Sequence, residues 1–349
     1  MPHLTNPTRR RPVDVSWTTT TGLVAGVTVD AACGDPRRGH PVAGFGRAAH
    51  TLERRWWADS KPRGALFTTV CVAVPVAVGA LIERTLSQPT TSTGSDRPAT
   101  ALPVAVRIAT TAAATWVVLG GRSLTREATL LARSLESGDL DAARARLPHL
   151  CGRDPHPLDT AGLARATVES VAENTSDAVV APLVWGGVAG LPGLVGYRAV
   201  NTLDAMVGHR SERYRNFGWA AARLDDAANL VPARLAGVLT AAAAPLVGGR
   251  PRDALRAWRH GAHRHPSPNA GVVEAAFAGA LHRTLGGRTV YPYGVDERPT
   301  LGTGPEVTTA DIRRATRLSQ AVSVGALVTV VAARAAATTL LRRRRRKQP

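Results

Sequence analysis

The sequence predicts an all-α, polytopic integral membrane protein with helical cytoplasmic segments, and three observations carry that prediction. Five runs are apolar enough to cross a bilayer, the polar stretches between them repeat their charges at helical spacing, and no alternating strand pattern of useful length occurs. At 349 residues the chain has room for one large domain or two ordinary ones; it is read as a single membrane domain over 1–349.

The membrane elements follow in order. Residues 66–82 carry no charge and form the cleanest run. Residues 101–120 hold only Arg107, near the start, where its side chain can snorkel. Residues 178–196 are uncharged but broken by glycines and by Pro182 and Pro192. Residues 230–249 have Arg234 near their beginning, and residues 318–341 enclose Arg334. A weaker sixth candidate, 22–33, contains Asp30. The Ser-, Thr- and Pro-rich stretch 83–100 reads as a flexible external loop, because its only basic residues are Arg84 and Arg97. The flanks 34–64 and 121–177 are far richer in arginine and read as cytoplasmic. Two arrangements stay open beyond them. If 178–196 crosses the membrane, the polar stretches 160–177 and 201–229 fall on opposite faces. If it is re-entrant, they meet.

The soluble elements are helical. Residues 124–147 form an amphipathic pair split at Ser137-Gly138-Asp139, Asp159 is placed to cap a helix running to Asp177, and Thr308 or Thr309 caps the last one. The net charge of +18 is almost all arginine, since Lys61 and Lys347 are the only lysines. With 4% aromatics and no zinc-finger spacing, that charge does not point to nucleic acid. The basic tail, 342–349, instead suits an anionic membrane surface, at about 1 kcal/mol per charge. The positive-inside rule places it in the cytoplasm, and Arg334 would let the last run lie in the interface to allow this. Cys33, Cys71 and Cys151 are isolated and give neither a disulfide framework nor a zinc site. The basic N-terminus lacks the apolar run of a signal peptide.

Chemistry concentrates between 167 and 234. Glu169, Glu173 and Asp177 stand four apart on one helix face, where they repel unless Mg²⁺, arginines or an ammonium sits among them; a solvated acidic face is the plain alternative. Asn174 interleaves with them. Asp225, Asp226 and Asn229, with Arg223, form a hard-oxygen set suited to Mg²⁺ and phosphate. Asn201, Asp204, His209, Arg210, Arg213 and Arg215 surround a glycine turn, and arginines so dense suit a bidentate grip on phosphate or carboxylate. His40 lies in a Pro/Gly-set loop. Ser267 and Asn269 lie in a second such loop, HRHPSPNAG, where His263 and His265 lack a third ligand for zinc. Walker A, GxSxG, HExxH and GxGxxG patterns are missing.

Five blocks, DAACGDPRRGHPV, VESVAENTSDAVVAPLVW, YRAVNTLDAMVGHRSERYRNFGWAAARLDDAANLVPARL, HPSPNAGVVEAAFAGAL and ERPTLG, together resemble the CobD/CbiB family of cobalamin biosynthesis, the adenosylcobinamide-phosphate synthases. The resemblance covers most of 29–318 and is loosest around Tyr291–Gly294. It implies a multi-pass protein of the cell (inner) membrane, a C–N ligase joining adenosylcobyric acid to aminopropanol or its O-phosphate. The corrinoid would be substrate, not prosthetic group, and ATP with Mg²⁺ would activate the corrin carboxylate. Catalytic work then falls to Glu169, Glu173, Asp177 and Asp204. Substrate contacts fall to His40, Asn174, Asn201, Arg210, Arg213, Arg215, Arg223, Ser267 and Asn269, and the metal to Asp225, Asp226 and Asn229. A transporter, or a membrane phosphotransferase built on the Asp/Asn set, is the competing reading.

Overall fold

Glycine spacing sets the frame of the membrane bundle. A Cβ on Gly22 or Gly26 would stand 2.5 or 2.4 Å from the Cβ of Thr111 or Thr115. In hydrocarbon, helices gain little by burying apolar surface, so close approach at small residues is what joins them. The register, 22 with 111 and 26 with 115, makes α1 (Val15–Cys33) and α4 (Ala101–Val118) parallel. In this computed structural model, which describes residues 15–36, 38–87, 101–209, 211–291 and 294–346, both helices start at one end of the bundle, the far end. Both finish at the other, the site end, where the Trp116 indole donates to the Gly34 carbonyl at 2.8 Å. The weak sixth candidate is thus part of a full helix. After α2 (Pro41–Trp56), α3 (Lys61–Ser87) runs back to the far end and stays helical through Ser87. Residues 83–87 of the expected loop are therefore helical, and 88–100 lie outside the described residues.

By length and composition, five helical stretches are able to cross a membrane: Lys61–Ser87, Val104–Glu136, Thr160–Gly208, Trp219–Val247 and Thr309–Arg344. The third folds back on itself. It comprises α7 (Thr160–Thr175), a π turn (Ser176–Val180), α8 (Ala181–Leu203) and a second π turn (Asp204–Gly208). Gly190, at φ 65 and ψ −141, breaks α8 in a conformation open to glycine. Beyond it, a Cβ on Gly193 would stand 2.1 Å from the Trp185 carbonyl oxygen, and one on Gly186 would stand 2.7 Å from Leu194. A continuous helix would hold residues eight apart about 12 Å from each other. The two arms therefore pack antiparallel, with the apex near Glu83 of α3. Residues 178–196 are a re-entrant hairpin, so the polar stretches at its two ends meet.

The fourth apolar run is also not a simple crossing. In α9 (Trp219–Ala243), the N-terminal approach is pinned where Phe217 meets Gly64 at the start of α3. At the other end, Arg314 donates to the Val247 carbonyl at 2.8 Å. Both anchors belong to the site end. Leu224, Val231, Val238 and Leu246 are exposed at near-heptad spacing, a stripe suited to lipid along the base of the bundle.

The site-end layer packs α5 (Gly121–Glu136), α6 (Leu140–Arg146), α7, α10 (Pro251–Gly261) and α11 (Ala270–Leu281) around fully buried Leu131, Leu163, Val168, Phe277, Ile312 and Leu318. Asp159 caps α7 through the Gly162 amide at 2.8 Å, and the turn at 137–139 separates α5 from α6, as their sequences require. At the start of α12 (Thr309–Arg346) Thr308 donates both its amide and its hydroxyl to the Asp311 carboxylate, at 2.9 and 2.7 Å. Two expectations are corrected. Strands do occur: β1 (Leu285–Tyr291) pairs antiparallel with β2 (Gly294–Leu301). Gly286, Gly287 and Pro299 hide their alternation, and Arg165 ties the first to α7 through the Gly286 and Arg288 carbonyls at 2.6 and 2.9 Å. The last run does not turn aside at Arg334. That guanidinium donates to Thr20 at 3.0 Å and to the Gly187 carbonyl near the hairpin apex, so α12 carries the described part of the basic tail to the far end.

Candidate active site

Two π turns flank the mouth of the hairpin, one holding Asp177 and the other starting at Asp204. The extra residue in such a turn redirects the side chains around it, and π turns concentrate at functional positions. Asp177 lies within electrostatic range of Asp225, Glu173, Asp204 and Arg198. Asp225 is oriented by two carboxamides: Asn229 donates at 2.9 Å and Asn201 at 3.5 Å. Tyr197 in turn donates to the Asn229 carboxamide oxygen at 2.9 Å, which fixes which way that amide points. Arg198 donates to Asn201 at 3.5 Å, while its Nε is buried without a hydrogen-bond partner and Asp35 lies nearby. The donors are hard oxygens, yet among the described residues no three His, Cys, Asp or Glu side chains form a cation cage by themselves.

Glu173 links this cluster to a second, buried one, the Glu274 chamber, because it acts electrostatically on both Asp225 and Glu274. There Glu169, 1% exposed, accepts from the Gly286 amide at 2.6 Å and pairs with the buried Arg153. Glu274, also 1% exposed, faces His265 and Arg298, each at 3.8 Å. His265 Nδ1 lies 3.1 Å from the Ser267 amide and 3.2 Å from the Ser267 carbonyl oxygen, so that edge of the ring is held by the loop. Burial, then Arg298, lowers His265 to about 4, so the ring is neutral at pH 7. Burial, then Glu169 and Glu173, raises Glu274 well above the usual carboxylate range. Arg298 also donates to Tyr291 at 2.5 Å.

Other predicted residues lie elsewhere. Arg213 is committed to the fold: it donates to buried Glu53 at 2.8 Å and stacks 4.5 Å over Trp57. Arg215 is exposed, and Arg210 lies outside the described residues. Arg223 pairs with Asp226 at 3.6 Å. The Asp226 carbonyl accepts from Asn269 at 2.7 Å, and Asn269 accepts from Arg234 at 2.6 Å, so Asn269 ties α9 to α11. Ser267 caps α11 through the Asn269 and Ala270 amides at 3.3 and 3.2 Å. Asn174 bonds back to Ser170 of its own helix at 3.0 Å. His40 caps α2 and lines an open groove of about 790 Å³ with Arg47, His50, Thr202 and Met206, on either side of Asp204. Sequence reasoning missed Tyr197, Arg198, Arg153 and Arg298. A charged residue directly after an apolar run was the available signal for Arg198.

The comparisons with known proteins give the family of the chain. The CobD/Cbib protein family matches residues 23–319. The cobalamin biosynthesis protein CobD of Mycobacterium tuberculosis is 51% identical over 317 residues, covering 90% of this chain and 96% of that protein. The CobD proteins of Chromobacterium violaceum and Rhodobacter capsulatus are 42% and 40% identical, covering 85% and 88% of this chain and 90% and 95% of their own lengths. No solved structure matches.

Proposed function

The chain belongs to the CobD/CbiB family and takes part in cobalamin biosynthesis, and we propose that it is the ligase that joins adenosylcobyric acid to aminopropanol or its O-phosphate. One observation supports the reading above others: the hairpin brings Asp177 and Asp204 beside Asp225, on the same side as the Glu274 chamber. An amide ligase needs such an arrangement, an anionic site for a metal-bound nucleotide next to a site for an amine.

A corrin carboxylate is a poor acyl donor. Transfer of the γ-phosphoryl group from ATP makes it an acyl phosphate and releases the diphosphate. The amine nitrogen then forms the C–N bond, the C–O bond to phosphate breaks, and phosphate leaves with the electron pair. Asp225, with Asp177 or Asp204, would hold Mg²⁺, and the metal would supply charge neutralisation on the phosphates. Mg²⁺ commonly takes one or two carboxylates and completes its shell with water and phosphate oxygens, so the missing cage of three acids fits it. Arg198, with a free buried Nε, is placed to grip the transferring group. The groove by His40 suits one edge of a large amphipathic corrin.

The test is reconstitution in liposomes with adenosylcobyric acid, ATP, Mg²⁺ and each amine form, with the product followed by mass spectrometry. ATP-dependent amide is the expected product. Vesicle uptake of a substrate without amide would assign transport instead, and phosphorylated lipid without amide would assign a phosphotransferase.

A further inference from the structure

Glu169 and Glu274 stand in one chamber, equally buried and oppositely treated. Glu169 has an amide at 2.6 Å and a guanidinium in contact. Neither oxygen of Glu274 has a hydrogen-bond partner, and its two cationic or donor neighbours stop at 3.8 Å, beyond hydrogen-bond reach. Buried carboxylates that serve only the fold are held by it, as Glu169 is by an amide on one oxygen and the Arg153 guanidinium against the other. His265 Nε2, opposite Glu274, is likewise unpartnered.

Charge counting says what is missing. Glu169, Glu173 and Glu274, with Asp296 3.7 Å from Arg298, face two guanidiniums, Arg153 and Arg298, and the neutral His265, so with Glu274 ionised the cluster is short of positive charge. A primary ammonium supplies that charge and carries three donors. Glu173 is the partly exposed member of the three, and the Asp177–Asp225 cluster adjoins it.

We propose that Glu274 receives the amine substrate: the chamber binds its ammonium, and the Glu274 carboxylate takes the proton that must leave before the nitrogen can attack. The inference rests on the amide-forming reading above and adds the amine subsite and its base. An ammonium has three protons and an amide nitrogen keeps one. The first passes to Glu274 and frees the lone pair. The second leaves with the departing phosphate as the C–O bond breaks. Arg298, whose Nε makes no hydrogen bond and has Asp296 at 3.7 Å, offers a donor on the same wall to the phosphate of an O-phosphorylated amine.

Binding and turnover separate the possibilities. Calorimetric titration of 1-amino-2-propanol, and separately of its O-phosphate, into detergent-solubilised protein needs neither nucleotide nor corrinoid. Binding of either form to the wild type, weakened at least tenfold by Glu274→Gln, is the expected result. In turnover at pH 7, Glu274→Gln should lower kcat/KM for the amine by roughly a hundredfold or more, with KM for ATP unchanged. The variant's rate should then climb about tenfold per pH unit toward the amine's own pKa, as solvent removes the proton instead. Arg153, Arg298, Glu169, Glu173, His265 and Tyr291 face the same chamber and are common to both proteins, so the difference between the two profiles belongs to Glu274. Glu274→Asp, which keeps the carboxylate, should recover part of the loss, and a melt of each variant identifies one that fails to fold. Wild-type amide formation with an unaltered Glu274→Gln overturns the inference and leaves the ligase reading standing. Amine binding lost in Glu274→Gln, in a wild type that forms no amide, keeps the subsite and removes the ligase reading. A fold-intact Glu274→Gln with a flat pH profile and normal amine affinity also overturns the inference.

Discussion

Arg213 and His265 show how side chains with the same look in sequence take different work. Arg213 sits among arginines dense enough to suggest a phosphate grip, but its guanidinium satisfies Glu53, which is 1% exposed, and lies over Trp57. Arg213→Ala leaves a buried carboxylate short of a partner, at a cost of about 1–3 kcal/mol. Thermal unfolding in detergent should show that loss while KM for every substrate stays unchanged; a normal melt with a raised KM would return Arg213 to the substrate. His265 behaves as a pH-dependent stabiliser. Its folded value of about 4 lies below the ordinary 6.5, so the unfolded chain binds a proton that the folded one refuses. The contribution is whole above pH 6.5 and is lost as pH falls toward 4, up to roughly 3 kcal/mol. His265→Asn keeps an acceptor for the Ser267 amide but cannot titrate in that window. The melting temperature of the wild type should therefore fall more steeply than the variant's between pH 6.5 and 4. Parallel curves would show that the ring is already protonated in the folded protein.

At the scale of elements, the hairpin decides whether a site exists. Glu173, Asp177, Asp225 and Asn229 were legible as candidates because carboxylates at helical spacing beside apolar runs have few structural explanations. Their meeting was not legible. Composition allows 178–196 either to cross or to return, and the choice is made by one backbone conformation at Gly190 and by contacts from Glu83 and Arg334, which are remote in sequence. Tyr197 was missed for the same reason, since its partner, Asn229, is brought beside it by that fold. The strands escaped because their glycines mimic a loop, whereas the caps at Asp159 and Thr308 are local and could be read directly. Gly190→Ala tests the hairpin. It forces a Cβ into a left-handed conformation and to 2.7 Å from a Glu83 oxygen, a strain of about 1–3 kcal/mol. Activity should fall together with thermal stability, and Glu83→Ala in the same chain should recover the steric part alone. A fully active, fully stable Gly190→Ala would mean that the reversal is not needed.

At the scale of the whole molecule, the two ends of α12 make opposite claims about orientation. Its first turns pack in the site-end layer, where Arg313 grips Glu136 at 2.9 and 2.6 Å, and Arg334 bonds near the hairpin apex. Thirty-eight helical residues extend about 57 Å, enough to leave the bilayer at both sides. The basic tail therefore emerges opposite the acidic site, and the positive-inside rule pulls both ways: Arg47, Arg54, Arg55, Lys61 and Arg63 crowd one end, and Arg342 to Arg346 crowd the other. The proposed ligase activity breaks the tie, because on that reading ATP and a corrin carboxylate would reach the site from the cytoplasm, so the tail should face outward. In a chain freed of Cys33, Cys71 and Cys151, Leu341→Cys should react with a membrane-impermeant maleimide on intact spheroplasts. Arg252→Cys, on exposed α10, should react after permeabilisation only. Labelling of both from one side would mean that α12 does not cross at all. The reverse order would put the carboxylates outside, out of reach of cytoplasmic nucleotide, and a ligase driven by ATP could not work there.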